Sequence, residues 1–226
     1  RDRAIDELPQ SAAGKTIMTT EPKFVPNEAA NIVVGDSIEM RVRLVDCVGY
    51  LVDNALGYLE NDVPRMVDTP WFEEKIPFGE AAEIGTQKVI NEHSTIGIVI
   101  TTDGSITDIP REDYLKAEEN VINEMKKTGK PFAVLLNCVD TDSSETADLK
   151  NSLEEKYSVP VIPINCSMMD SQDINEIMKT ILYEFPVCEI GINVPQWMES
   201  LGYDENLKML LVDAIKEAFC DADKFR

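Results

Sequence analysis

The sequence predicts an α/β fold built on a mostly parallel, doubly wound sheet, with one antiparallel strand supplied by a hairpin. Between residues 79 and 183, helical segments alternate with short, continuously apolar runs, as in successive βαβ units. Such runs are typical of strands that helices cover on both faces. Before them, within residues 31–45, a short apolar stretch meets a Gly35-Asp36 turn signal, and a segment with a period of two follows it, which indicates the β-hairpin.

The composition indicates a folded protein without a nucleic-acid-binding face. The chain has 226 residues, of which 43% are apolar, and this content is typical of globular chains. Its net charge of -21 argues against binding nucleic acid through the phosphates, because that needs a basic surface. The five cysteines include no C-x-x-C pair, which favours a reducing, cytoplasmic compartment.

The alternating elements follow one another closely along the middle of the chain. We expect, in order, a helix at 79–92, a strand at 95–101, a helix at 111–127, a strand at 131–136, a helix at 145–157, a strand at 159–164 and a helix at 171–183. Residues 51–77 carry three prolines and predict an irregular loop, of the kind that is often functional or mobile. From residue 187 to residue 226 we expect a linker and the start of a second domain, with an amphipathic helix at 206–219.

The first candidate site lies where the second strand of the hairpin ends, at Asp46-Cys47-Val48-Gly49. An acid at such a strand end can hold Mg²⁺, directly or through water, in phosphoryl transfer. A glycine three residues later lets its backbone N–H approach a phosphate with no side chain in the way. The alternative is a strand-end Asp that caps a turn beside a turn glycine, and spacing alone does not separate the two.

Threonines precede the hairpin, at Thr16 and at Thr19-Thr20. A hydroxyl here would complete Mg²⁺ coordination or contact a γ-phosphate, as the switch threonines of nucleotide hydrolases do. The alternative is a β-prone segment that binds no ligand. Gly14-Lys15-Thr16 does not complete a phosphate loop, because G-x-x-x-x-G-K-[ST] needs a glycine where Pro9 stands and an apolar strand before it.

A second candidate site follows the strand at 131–136, at Asn137-Cys138-Val139-Asp140. GTPases place Asn-Lys-x-Asp at this point, and the Asp accepts hydrogen bonds from guanine. Here Cys138 stands in place of the lysine, and Asn165-Cys166-Ser167 stands in place of Ser-Ala-Lys after the next strand. These differences argue against guanine specificity and leave a base pocket open. A solvated turn is the other interpretation of Asp140.

Several long strings of the sequence resemble the stage IV sporulation protein A family of endospore-forming bacteria. Among them are ELPQSAAGKTIMTTEPKFVPN, RLVDCVGY and EHSTIGIVITTDG, and the similarity runs from Asp6 to about Pro186. That family is related to the translation-factor class of P-loop GTPases, but hydrolyses ATP. The resemblance implies a P-loop NTPase-like domain over residues 1–186, with the N-terminal strand and the phosphate loop absent from this chain and lying upstream of Arg1.

The resemblance also assigns roles to individual residues. Asp46 matches the family's Walker B acid, and Thr19 and Thr20 match the threonines that sense the γ-phosphate. These three are the expected catalytic and metal-binding groups, with ATP and Mg²⁺ as ligands. The expected nucleotide contacts are Gly49, which matches the glycine of the D-x-x-G turn, together with Asn137 and Asp140.

Members of that family polymerise on the outer surface of the forespore and form the basement layer of the spore coat. The resemblance therefore implies an ATPase that couples hydrolysis to self-assembly, in the mother-cell cytoplasm at the forespore surface. The expected partners are further copies of the protein and, mainly through regions outside this chain, other coat morphogenetic proteins and a small forespore-membrane peptide. The alternative is a structural coat-assembly module with a degenerate nucleotide site. Without a phosphate loop, we expect this chain alone to be impaired in nucleotide hydrolysis.

Overall fold

Two β-strands joined by a tight turn open the part of the chain that the structure describes. The computed structural model describes residues 23–35, 38–47, 49–53, 55, 59–60, 63–69, 71–186, 191–196 and 206–219. β1 (Lys23–Val34) pairs with antiparallel β2 (Ile38–Asp46), which confirms the predicted hairpin and lengthens its first strand. The turn begins at Gly35, whose φ of 62° lies in the left-handed region that favours glycine.

The hairpin has one irregularity and one long-range anchor. The register shifts within β1 between Val25 and Ala30. The intervening residues, Pro26 among them, therefore lie outside the regular ladder, where the missing N–H of a proline breaks no hydrogen bond. At the turn, the Gly35 N–H donates to the side-chain oxygen of Asn175 at 3.1 Å, which fastens the hairpin to a helix 140 residues further along.

Short antiparallel pairs occupy much of the segment that the sequence predicts to be irregular. β3 (Leu59–Glu60) pairs with β4 (Val63–Pro64), and β5 (Met66–Thr69) pairs with β6 (Phe72–Pro77). The prediction of a loop is therefore wrong for these residues. Two of the three prolines that suggested it, Pro64 and Pro77, end β4 and β6, and every strand of a two-stranded pair is an edge strand, where proline is tolerated.

A helix follows the second of these pairs and ends in a wider turn. α1 (Phe78–Lys88) continues into one π-helical turn (Val89–His93). The Lys130 ammonium donates to the carbonyls of Ile90 and Asn91, at 2.6 and 2.9 Å. These bonds satisfy acceptors that a helix C-terminus leaves unpaired. The C-terminal end of the predicted helix at 79–92 is therefore capped by Lys130, which is distant in sequence.

The central sheet has three parallel strands in chain order. They are β7 (Gly97–Thr102), β8 (Phe132–Asn137) and β9 (Val161–Ile164). The connecting helices are α2 (Arg111–Thr128), α3 (Ser144–Tyr157) and, after the last strand, α4 (Ser171–Tyr183). The predicted α/β class, its parallel strands and its antiparallel pairing are confirmed. Within the described residues, the hairpin forms its own two-stranded ladder rather than a fourth strand of this sheet.

One face of the sheet forms the main hydrophobic core. Alternate side chains of β8 point to it, because successive residues of a strand face opposite sides. Helices α2 and α3 cover that face with apolar side chains at helical spacing. The cluster comprises Ile90, Val99, Ile122, Met125, Phe132, Val134, Leu136, Leu153, Tyr157 and Val161.

The chain divides into two compact units, Arg1–Ile181 and Leu182–Arg226. The second unit contains α5 (Asn206–Phe219), on which no residue is buried, and which confirms the predicted amphipathic helix in its bounds. The predicted domain boundary at residue 186 stays a prediction. None of the described helices is both long and apolar enough to cross a bilayer.

A buried carboxylate joins the sheet to both covering helices. Glu118 on α2 is 4% exposed, and its Oε2 accepts bonds of 2.6 Å from the Arg111 guanidinium and from the Thr101 hydroxyl on β7. Its Oε1 accepts a bond of 3.1 Å from the Tyr157 hydroxyl on α3. Arg111 also donates to the Thr101 oxygen at 3.1 Å. Both carboxylate oxygens are therefore satisfied, which a buried charge requires.

Replacing Arg111 with Ala should lower the free energy of unfolding by about 3–5 kcal/mol, because the Glu118 carboxylate would stay buried without a counter-charge. Urea denaturation followed by circular dichroism measures the change. Lys127→Ala is the matched control, since it breaks an exposed pair with Glu124 on the same helix and should cost less than about 1 kcal/mol. Equal losses of unfolding free energy in the two variants would contradict the larger contribution expected of the buried pair.

Candidate functional site

The first predicted site lies at the end of β2. Asp46 is the last residue of that strand, and Gly49 follows with a φ of 81°, a conformation that favours glycine. A Cβ built on Gly49 would meet no described atom within 4 Å. The space beside this backbone is therefore open, as it must be if a phosphate is to approach the N–H group closely.

The carboxyl group of Asp46 fits a cation ligand. Partial burial beside the hairpin raises the pKa of Asp46 above its ordinary value, and a hydrogen bond from the Cys47 backbone opposes that rise. The charged carboxylate is thus less favourable here than in water, although part of the side chain remains exposed. A divalent ion would reverse this balance, because a nearby positive charge stabilises the ionised form.

The turn after Asp46 lies along α1. The thiol of Cys47 is close enough to the Thr86 hydroxyl that this contact opposes the rise that burial causes in the thiol pKa. The contact falls short of a well-formed bond, because the Thr86 Oγ1 is buried without a hydrogen-bond partner among the described residues. At the other end of the turn, a Cβ on Gly79 would come within 2.7 Å of the Leu51 Cδ1. The turn and the helix therefore fit together closely.

Tyr50 stands where GTPases carry a water-positioning glutamine after the D-x-x-G turn. Its neighbours in the structure are side chains of the helices. Burial raises the pKa of the Tyr50 phenol, a hydrogen bond from the Gln87 side chain lowers it, and the charges of Glu124 and Glu83 raise it. These neighbours lie on α1 and α2. The Tyr50 phenol thus lies within hydrogen-bond reach of Gln87 on α1, and the residue that would position a water molecule stays unassigned.

The second predicted site lies at the carboxyl ends of β8 and β9. The Asn137 side-chain oxygen accepts a bond of 3.0 Å from the Cys166 N–H. Asp140 is exposed, its Oδ1 accepts from the Asp142 N–H at 3.1 Å, and its carbonyl accepts from the Thr146 hydroxyl at 2.8 Å. Asp140 therefore organises the turn before α3, and its carboxylate still faces solvent.

Cys138 points into the protein. It is fully buried, its N–H donates to the Ile164 carbonyl at 2.9 Å, and its thiol lies 3.9 Å from the same oxygen. The lysine that GTPases carry at this point lies along the base instead. The structure thus explains why cysteine suits the position, since a small apolar side chain packs where a long cationic one would lose its hydration.

Ser105, which the sequence reasoning missed, and Asn165 connect the three strand-end loops. The Ser105 hydroxyl donates to Asp103 Oδ1 at 2.6 Å and accepts from the Val139 N–H at 3.0 Å. The Asn165 amide donates to the Val139 carbonyl at 3.3 Å. Asp103, the first residue after β7, therefore supports a link between loops. The available signal was the placement of small polar residues directly after apolar strands.

The structure assembles only part of the predicted site. Asn137 and Asp140 share one rim with the loops after β7 and β9. Asp46 and Gly49 lie beside α1, and none of the described hydrogen bonds or ion pairs joins them to that rim. Thr19 and Thr20 lie outside the described residues. Across the described part of the chain, no three His, Cys, Asp or Glu side chains are grouped as a metal site.

The three described cysteines are free thiols and poor nucleophiles. Burial raises the pKa of Cys47, of Cys138 and of Cys166, and for Cys166 the neighbouring Cys138 adds to the rise. Because the thiolate is the reactive form, covalent catalysis by these residues at neutral pH is disfavoured. The chemistry of the site therefore depends on carboxylates, amides and backbone groups.

Restoring the GTPase lysine should destabilise the protein. We expect Cys138→Lys to lower the melting temperature by several degrees, because the position is fully buried and the ammonium would lose its hydration. Val139→Lys is the matched control, since the neighbouring side chain is 59% exposed and should tolerate a charge. Thermal unfolding by circular dichroism compares the two, and equal melting temperatures would contradict the inward orientation of Cys138.

Comparison with known proteins identifies the family. Residues 1–186 match the family model described as stage IV sporulation protein A, ATPase domain. The chain is 52% identical over 226 residues to stage IV sporulation protein A of Bacillus anthracis and of Bacillus subtilis (strain 168), and 50% identical to that of Clostridioides difficile (strain 630). Each comparison covers 100% of this chain and 46% of the relative, so the chain spans about half the length of the curated relatives it matches. No solved structure matches significantly. The chain therefore belongs to the stage IV sporulation protein A family.

Proposed function

We propose that the protein hydrolyses ATP with Mg²⁺ and couples hydrolysis to its own polymerisation into the basement layer of the spore coat. The observation that carries this proposal is the turn at Asp46–Gly49, where a partly desolvated carboxylate stands three residues before a glycine with open space beside it. The match of residues 1–186 to an ATPase domain supports it independently.

Each predicted site residue would have a separate role in binding Mg²⁺ or the phosphates. Asp46 would hold Mg²⁺, directly or through water, and the Gly49 N–H would approach the γ-phosphate. Thr19 and Thr20 would sense that phosphate through their hydroxyls, as the family resemblance implies. Bound Mg²⁺ would neutralise negative charge on the phosphate oxygens. The phosphate loop, which no part of this sequence supplies, would have to come from further residues of a longer protein.

Position in the cell follows from the same proposal. The protein would assemble in the mother-cell cytoplasm on the forespore surface, with further copies of itself as its main partner. Other coat morphogenetic proteins and a small forespore-membrane peptide would bind mainly through regions beyond this chain. Similarity to relatives named stage IV sporulation protein A supports a role in spore formation.

A structural module with a degenerate nucleotide site is the second candidate. The sequence favours it by one feature, the absence of a complete phosphate-loop motif in these 226 residues. Such a module would assemble without hydrolysing nucleotide. Phosphate release by protein of the same length as the curated relatives separates the two functions, and sedimentation with ATP or a non-hydrolysable analogue shows whether assembly depends on hydrolysis.

Asp46→Asn in that longer protein should reduce the rate of phosphate release by about 10²–10³-fold, the usual cost of removing one preorganised charge-stabilising group. Its melting temperature without Mg²⁺ at neutral pH should not fall. The pKa of Asp46 is raised in the folded state, so the folded protein binds the proton more tightly than the unfolded chain, and ionisation as the pH rises above the ordinary Asp range lowers stability. The neutral amide removes that cost.

Asp68→Asn is the matched control for this experiment. Asp68 is an exposed acid paired with Lys75 at 3.3 Å, so its loss should change neither hydrolysis nor melting appreciably. Hydrolysis that survives Asp46→Asn would show that Asp46 is not the metal-binding acid. If the unsubstituted protein releases no phosphate, the structural module becomes the better description.

A further inference from the structure

One hydroxyl of α1 is buried without a hydrogen bond. Thr86 is 2% exposed, and its Oγ1 has no hydrogen-bond partner among the described residues. A threonine within a helix can donate to the carbonyl four residues earlier, as the Ser94 hydroxyl does to the Ile90 carbonyl at 2.9 Å. Because a buried polar group without a partner lowers stability, native proteins retain few of them, and each needs an explanation.

Two residues that follow β2 contact α1 near its two ends. The Cys47 thiol lies beside the Thr86 hydroxyl in the last turn of the helix. The Leu51 Cδ1 would come within 2.7 Å of a Cβ on Gly79 in the first turn. Seven residues separate Gly79 from Thr86, which is about 10 Å along a helix and within reach of the chain from Cys47 to Leu51. The order of these contacts shows that the turn and α1 run in opposite directions.

A third contact lies beside Thr86. The Tyr50 phenol is within hydrogen-bond reach of Gln87, the next residue of α1. Among the buried positions of α1, Thr86 carries the one polar side chain, since the others are phenylalanine, alanine and glycine. The hydroxyl therefore lies where the turn meets the helix, and no other buried side chain of α1 can pair with it.

Resting on the function proposed above, we propose that Thr86 is a positioning residue for phosphoryl transfer. As the turn closes on the transferred phosphate, the Thr86 hydroxyl donates to the Cys47 sulfur and holds Asp46 and Gly49 in place. The contact is incomplete in the arrangement described above, so forming it stabilises the closed turn over the open one. An interaction that strengthens along the reaction lowers the barrier, whereas one made equally before the reaction does not.

Removing the Thr86 hydroxyl without changing the shape of the side chain tests this role in protein of the same length as the curated relatives. We expect Thr86→Val to lower kcat for phosphate release about three- to tenfold, the range of one hydrogen bond. KM for ATP, and the dissociation constant of Mg·ATP measured by calorimetry, should change less than about twofold. The melting temperature without nucleotide should not fall, because a methyl replaces a buried hydroxyl that lacks a partner.

Hydrogen exchange gives a readout that does not depend on turnover. ADP, Mg²⁺ and vanadate together mimic the transferred phosphate, and they should slow exchange in the peptide that contains Cys47 and Gly49. We expect less slowing in Thr86→Val than in the unsubstituted protein. Equal slowing in the two proteins would contradict closure of the turn through this hydroxyl.

Two further variants separate positioning from a structural role. Thr86→Ser keeps the hydroxyl and should keep kcat within about twofold of the unsubstituted protein, although it loses a buried methyl. In Thr128→Val the lost hydroxyl is a paired one, since it donates to the Met125 carbonyl at 2.7 Å and accepts from the Lys130 N–H at 3.3 Å. That control should lower the melting temperature and leave kcat unchanged.

A double substitution tests the partner of the hydroxyl. If Thr86 acts through Cys47, Cys47→Ala should lower kcat by a similar factor, and adding Thr86→Val to it should cause no further loss. Additive losses overturn the pairing. Unchanged kcat in Thr86→Val, or an equal loss in Thr86→Ser, overturns the positioning role and leaves the proposed ATPase in place. Absence of phosphate release by the unsubstituted protein overturns the proposed function itself.

Discussion

The buried carboxylate of Glu118 is the interaction on which the arrangement of the domain depends. It holds β7 through Thr101, the start of α2 through Arg111 and the end of α3 through Tyr157. A buried charge tolerates few geometries, because each lone pair must find a donor when water is absent. The network therefore fixes two helices against the sheet more specifically than the surrounding apolar contacts do.

This fixed frame sets the loops that form the rim. Gly104 follows β7 with a φ of 92°, and a Cβ there would come within 3.0 Å of the Arg111 backbone nitrogen, so the loop turns back tightly onto the start of α2. Ser105 in that loop then reaches the Val139 N–H, and Asn165 reaches the Val139 carbonyl. Hydrogen bonds between the loops thus hold the three strand ends together.

The two candidate sites differ in how they are supported. The rim belongs to the parallel sheet, where strand ends in register bring loops together. The turn at Asp46–Gly49 belongs to a separate antiparallel hairpin and lies against α1 through Cys47 and Leu51. The two sites are therefore held in place by different elements of the fold.

Much of the fold follows from the sequence by itself. Alternating apolar runs and helical periods gave every central strand and helix within a few residues, because both signals are local and repeat many times. The same reasoning located Asp46, Gly49, Asn137 and Asp140 at strand ends, because an acid or amide that follows an apolar run can be identified in the sequence itself. The resemblance of long strings then indicated the family, which the comparisons confirmed.

Only the tertiary structure decided which way the side chains at these positions face. Cys138 and Asp140 are two residues apart, yet one is fully buried and the other exposed. Tyr50 follows the turn, and its phenol lies within hydrogen-bond reach of Gln87 on α1. Pairing of the segment at 59–77 likewise depended on strand edges meeting in space. The physical reason is common to these cases: orientation and hydrogen-bond partners are set by elements distant in sequence, which local periodicity does not encode.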